Sequence, residues 1–168
     1  MSVSVSETQD LTALFKQAMS AFPSGVTVIT TLGPEGEPVG MTASAFISVS
    51  IKPLLVLESV AKTAQMHAHL TREPRYAVSV LSESQVDESN HFAGWGREGF
   101  APTLGDLEGL PTVLGSLARL ACKVVGRVDA GDHTLFIGEV EAVELEPAGE
   151  GRSPLVYARR GYHGLAPR

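Results

Sequence analysis

Short runs of β-branched and apolar residues, each closed by a cluster of turn formers, recur along this chain, and no run alternates regularly with a helical pattern. That limits the fold to strands joined by hairpin-like connections. Val26 to Thr31 (VTVITT) is followed by GPEGEP, Gly33 to Pro38, and then by Gly40 to Ser50 (GMTASAFISVS), which reads as its hairpin partner. Lys52 and Pro53 separate that run from a third strand, Leu54 to Ser59, and Tyr76 to Leu81 (YAVSVL) forms a fourth. Two longer strands, Leu117 to Val128 and His133 to Glu146, flank a turn at Asp129 to Asp132, and Pro154 to Arg159 is a short last strand. The expected class is mainly β, with a closed antiparallel barrel favoured over a doubly wound parallel sheet.

Helical signals are few. Asp10 can cap a helix whose apolar positions Leu11, Leu14, Phe15, Met19 and Phe22 form one stripe to be buried, ending before Pro23. Thr63 can begin a short helix through Gln65, Met66 and Leu70, and Ser82 with Gln85 fits a capping box for a helix running to about Phe92. Gly94 to Leu114 is rich in glycine and proline with little periodicity and reads as a mobile or ligand-covering loop. Its Trp95 reads as a packing anchor or as a cover for a ring. At 168 residues, with no repeat or linker, the chain is expected to form a single domain over 1–168, frayed at its first nine and last four residues.

Composition removes several function classes. A formal charge of −6 opposes non-specific attraction to nucleic acid or an anionic membrane, so the expected ligand is small. Cys122 is the only cysteine, which rules out an intrachain disulfide or a CxxC pair and reads as a buried thiol. No apolar stretch approaches the roughly twenty residues that span a bilayer, and MSVSVSETQD lacks a signal peptide's basic start and apolar core, so a cytoplasmic location is expected.

Three clusters carry candidate chemistry. Extended, Gly40 to Ser50 would place Thr42, Ser44, Phe46, Ser48 and Ser50 on one face and Met41, Ala43, Ala45, Ile47 and Val49 on the other: donors outward, an apolar back closing the interior. A solvent-facing strand would show the same hydroxyls. In SVAKT, Lys62 beside a helix start at Thr63 would suit a phosphate, although a lone lysine is commonly a solvated charge. In GDH, His133 stands at a hairpin mouth where ligands bind, although Asp132 also reads simply as a cap for the turn. His67 and His69 are two apart, a poor spacing for joint metal ligation, and read as solvated helix positions. GxxxxGK[ST], HExxH and GxSxG are all missing from the sequence, so neither a phosphate loop of the usual kind nor a hydrolase elbow is signalled.

Taken in order, SGVTVITT, GMTASAFISVS, SVAKT, HFAG, GDHTLFIGEV and PLVYARRGY resemble the short-chain flavin reductase family, from about Phe15 to Leu165. The resemblance implies an FMN-binding split barrel, an antiparallel Greek-key sheet with a few short flanking helices. It implies a cytoplasmic homodimer in which NADH or NADPH reduces FMN or FAD for a separate monooxygenase. By the same resemblance Thr42, Ala43 and Ser44 line the isoalloxazine ring, and Ser59, Val60, Ala61, Lys62 and Thr63 hold the ribityl phosphate end. Phe92 lies near the flavin, and His133 and Tyr162 dock the nicotinamide. The acidic chain has no evident clamp for a 2′-phosphate, although Arg159 and Arg160 lie near the implied mouth, so NADH is the expected donor. The chain departs from the family pattern at Lys52 and at Glu58, a charge where the family strand is generally apolar. A flavin carrier without catalysis, or a flavin-linked oxidase using another donor, would have the same architecture.

Overall fold

The computed structural model describes residues 10–147 and 152–166, so most of the termini expected to fray lie outside it. In chain order the elements are α1 (Leu11–Ser20), β1 (Ser24–Gly25), β2 (Thr27–Leu32), β3 (Pro38–Ala43), β4 (Phe46–Ile51), β5 (Leu54–Ala61) and α2 (Gln65–Arg72). There follow β6 (Arg75–Val80), α3 (Val86–Phe92), β7 (Leu104–Leu107), β8 (Leu110–Val113), β9 (Ala118–Ala130), β10 (His133–Leu145), β11 (Val156–Ala158) and β12 (Gly161–His163). Seven of these strands form one antiparallel sheet in the order β3-β2-β6-β9-β10-β5-β4.

The expected single strand from Gly40 to Ser50 is two strands, and this break organises the fold. β3 and β4 lie at opposite edges of the sheet, yet only Ser44 and Ala45 join them. Six inter-strand spacings of a flat sheet would separate those edges by roughly 29 Å. Three Cα–Cα steps reach only about 11 Å. The sheet therefore curls until its edges nearly meet. Among the described residues no ladder pairs β3 with β4, so the barrel is split rather than closed.

The break also resets which face points inward. Ala43 is buried and Phe46 packs on the main core, whereas Ile47, Val49 and Ile51 face outward. The expectation that Ile47 and Val49 close the interior is therefore corrected. A register irregularity between Ser48 and Ser50 shifts the alternation again. The interior gathers Ile29, Val56, Val60, Tyr76, Val78 and Phe136, and a second core of Val26, Val28, Leu81, Val113 and Leu155 lies beyond it.

Asp10 caps α1 through its carboxylate, which accepts from Thr12 N at 3.0 Å. The stripe is not buried in this chain: Leu11, Phe15 and Phe22 are 79%, 63% and 70% exposed. Ser82 forms half of the expected capping box. Its N–H donates to Gln85 Oε1 at 3.0 Å, but its hydroxyl pairs with Ser84 and the helix starts only at Val86. The segment expected to be a loop contains the β7–β8 hairpin, turning at Glu108 and Gly109 with φ of 54° and 79°. No helix among the described residues is long and apolar enough to cross a membrane.

One glycine in β10 is dictated by packing. A Cβ at Gly138 would collide with the Tyr76 hydroxyl, and Tyr76 is fully buried with no room to withdraw. Gly138→Ala is expected to lose about 1–3 kcal/mol in urea unfolding. Tyr76→Phe in the same chain should recover part of that loss; no recovery would place the strain elsewhere.

Candidate functional site

The two-residue crossing at Ser44–Ala45 belongs to neither neighbouring ladder, so its amides are not committed to strand pairing. Ala45 C=O instead accepts from Ser59 N at 3.1 Å. That bond brings the TASAF segment against the strand that ends in SVAKT, two clusters separated in sequence and read independently there.

On one side of the crossing, α3 lies across β3. Thr42 Oγ1 donates to Ser89 C=O at 2.6 Å, and Tyr162 Oη donates to Asn90 Oδ1 at 2.9 Å while lying 2.9 Å from Ser89 Oγ. Because the Tyr162 proton goes to Asn90, Ser89 is the donor in the other bond. These bonds frame an open cavity of about 170 Å³ whose walls include Val26, Thr42, Ser44, Ser89, Trp95 and Tyr162. Trp95 is 73% exposed, so it is not a packing anchor; it forms a wall of this cavity. Tyr157 meets Tyr162 edge-on at 5.4 Å.

On the other side, the β5–β10 ladder pairs Ala61 with His133, setting SVAKT beside GDH. Lys62 N donates to Asp132 C=O at 2.9 Å, and the Lys62 ammonium lies 3.5 Å from Asp129. His133 Nδ1 is 2.7 Å from Asp132 Oδ1. The hydrogen bond from His133, and then its charge, hold the Asp132 carboxyl below its usual range. Thr134 Oγ1 donates to Asp129 at 3.1 Å and therefore accepts at 2.8 Å from His67 Nε2. His67, expected to be solvated, is thus half-buried in this network, with its ring edge-on to Phe136 at 5.4 Å.

The remaining expected residues divide. Ala43 and Val60 point their side chains into the core, leaving only backbone for a ligand. Thr63 is exposed, and α2 begins two residues later behind Ala64, which provides no side-chain cap. Phe92 packs on Gly40, where a Cβ would sit 2.6 Å from its ring, and lines a separate cavity of about 380 Å³ with Pro38, Gln65, His69 and His91. His133 is not among the residues that line the Tyr162 cavity. Glu58 belongs to no rim: it is fully buried in the barrel. Ser89, Asn90 and Tyr157 were not legible as site residues, since nothing in their local pattern separates them from loop and helix surface. Among the described residues, no group of three or more His, Cys, Asp or Glu side chains could hold a metal ion.

The family model described as a flavin reductase like domain matches residues 19–166. The reductase component of 4-hydroxyphenylacetate 3-monooxygenase from Thermus thermophilus is 43% identical over 152 residues, 90% of this chain and 95% of that protein. The solved structure of flavin reductase PheA2 in its native state superposes with a TM-score of 0.87 at 42% identity, covering 95% of this chain and all (100%) of that one. The Streptomyces globisporus NADH:FAD oxidoreductase SgcE6, in complex with NAD and FAD fragments, gives a TM-score of 0.83 at 37% identity over 96% of this chain and 98% of that one. With a matching model over most of its length, relatives of similar extent and the same split barrel, this chain belongs to the flavin reductase family.

Proposed function

We propose that this chain is an NADH-dependent flavin reductase whose reduced FMN or FAD serves a separate monooxygenase. The supporting relatives are named as reductases of flavins and as reductase components of oxygenases. The observation that carries the reading into this chain is the Ser59–Ala45 bond, which turns scattered motifs into one continuous surface of uncommitted amides, hydroxyls and a cation.

A flavin suits that surface. Lys62 and the uncapped N-terminus of α2 offer a charge and free N–H donors for its phosphate. Thr42 to Ser44 offer small side chains that let a flat ring approach the backbone. His133, oriented by Asp132, docks the nicotinamide, and Tyr162 and Trp95 close the far side. The bound flavin supplies the chemistry, accepting hydride from the nicotinamide. The protein's part is to hold the two rings at reacting distance, so no side chain need transfer a proton in that step.

The apolar faces of α1 and β4 support a homodimer, since Phe15, Phe22 and Ile51 would otherwise stay in water. A steady-state matrix of NADH and NADPH against FMN, FAD and riboflavin tests the function. Oxidation of NADH that requires added flavin, with kcat on the order of 10 per second, is expected. Flavin binding without turnover would leave a carrier.

A further inference from the structure

The β11–β12 hairpin turns through two residues, Arg159 and Arg160, and both have positive φ, 50° and 63°. That is the conformation of a type I′ turn, for which Asn-Gly is preferred because a Cβ is strained there. A non-glycine residue in this region is strained, so two successive arginines are an unfavourable choice for a turn. Such strain is retained where the surrounding structure fixes it. Here Arg159 N donates to Ser20 C=O at 2.6 Å, docking the hairpin on the end of α1, and His163 Nε2 lies 3.0 Å from Ala158 O.

The two guanidiniums are exposed and take part in none of the ion pairs among the described residues. They line a cavity of about 160 Å³ with Phe22, Ser24, Ser44 and Tyr157. Ser44 and Tyr157 also line the cavity of Trp95 and Tyr162. One groove therefore runs from the crossing strand to the arginine pair.

We propose that Arg159 and Arg160 form an anion clamp that holds the pyrophosphate of a dinucleotide whose ring system lies over Ser44 and Tyr162. This rests on the reductase reading for the identity of the ring. The planar guanidiniums suit bidentate binding of phosphate oxygens. Two sources share that chemistry: FAD, and the nicotinamide dinucleotide. The competing explanation is purely structural, with Arg159 favoured by the carbonyl end of α1.

The double variant Arg159→Asn, Arg160→Gly separates these explanations, because it installs the preferred turn and should raise the unfolding midpoint. Isothermal titration with inorganic pyrophosphate should show binding weakened by about tenfold or more. Kinetically, a loss confined to FAD relative to FMN assigns the clamp to the flavin; a loss for NADH relative to reduced nicotinamide mononucleotide assigns it to the donor. A more stable variant with unchanged pyrophosphate affinity and unchanged ratios overturns the clamp. If the native chain shows no flavin-dependent NADH oxidation, the reductase reading fails instead, and the titration still decides the clamp.

Discussion

Glu58→Gln should abolish the loss of stability expected of the native chain as pH rises above the ordinary carboxylate range. Glu58 lies on β5 facing into the barrel, fully buried, and neither carboxyl oxygen has a hydrogen-bond partner. Its cross-strand neighbours are Phe46 and Phe136. The ionisable groups near it are Tyr76 on β6 and Cys122 on β9. Burial pushes the Cys122 thiol up to about 12, aided by the Glu58 charge, and raises Tyr76 as well. Neither neighbour is a base that could pair with a carboxylate, and desolvation raises Glu58 well above its ordinary range.

The folded chain consequently holds a proton that the unfolded chain releases. Stability is greatest below the unfolded carboxyl range and falls as pH rises toward the folded value, by up to about 1.4 kcal/mol per pH unit. Glu58→Gln removes that slope. Glu58→Leu should also raise stability at pH 7 by about 1–4 kcal/mol, as replacement of buried charged groups by apolar ones often does. Urea unfolding at several pH values is the measurement. Parallel curves for the native chain and the Glu58→Gln variant would mean that Glu58 is already solvated or paired.

His133→Ala should raise the KM for NADH by roughly ten- to a hundredfold while changing flavin affinity by less than about threefold. The Asp132 carboxylate holds Nδ1, and the Asp132 C=O accepts from Lys62 N, which sets the ring beside the Lys62 turn. On the proposed reading, losing the ring removes one contact to the donor and leaves Lys62 and the α2 N-terminus in place. Asp132→Asn should give a smaller change of the same kind, since the ring stays but its orientation loosens. Stopped-flow mixing that found unchanged nicotinamide affinity with lost flavin would reverse the assignment.

Strand positions were largely legible. Val26–Thr31 became Thr27–Leu32, Tyr76–Leu81 became Arg75–Val80, and the long pair began and ended within two residues of expectation. Those limits are local, set by β-branched runs and by turns rich in glycine and proline. The β7–β8 hairpin was hidden because its strands are four residues each and Glu-Gly is not a common type I′ pair. The break at Ser44–Ala45 was hidden for a different reason. Both residues fit an extended chain, and only the curling of the remote strands makes them a crossing between sheet edges.

The site shows the same division. The residue types of TASAF, SVAKT and GDH are chain properties, and the family resemblance rests on them. Their meeting depends on the Ser59–Ala45 bond and the Ala61–His133 register, which are long-range pairings. Local sterics and hydrogen bonding along the chain account for most of the strands and hairpins, and the chemical inventory needs no fold at all. Two further facts have no local cause: Glu58 faces inward without a partner, and two arginines end one groove. Each follows from how the sheet closes on itself, a balance of burial and strand pairing spread over the whole chain.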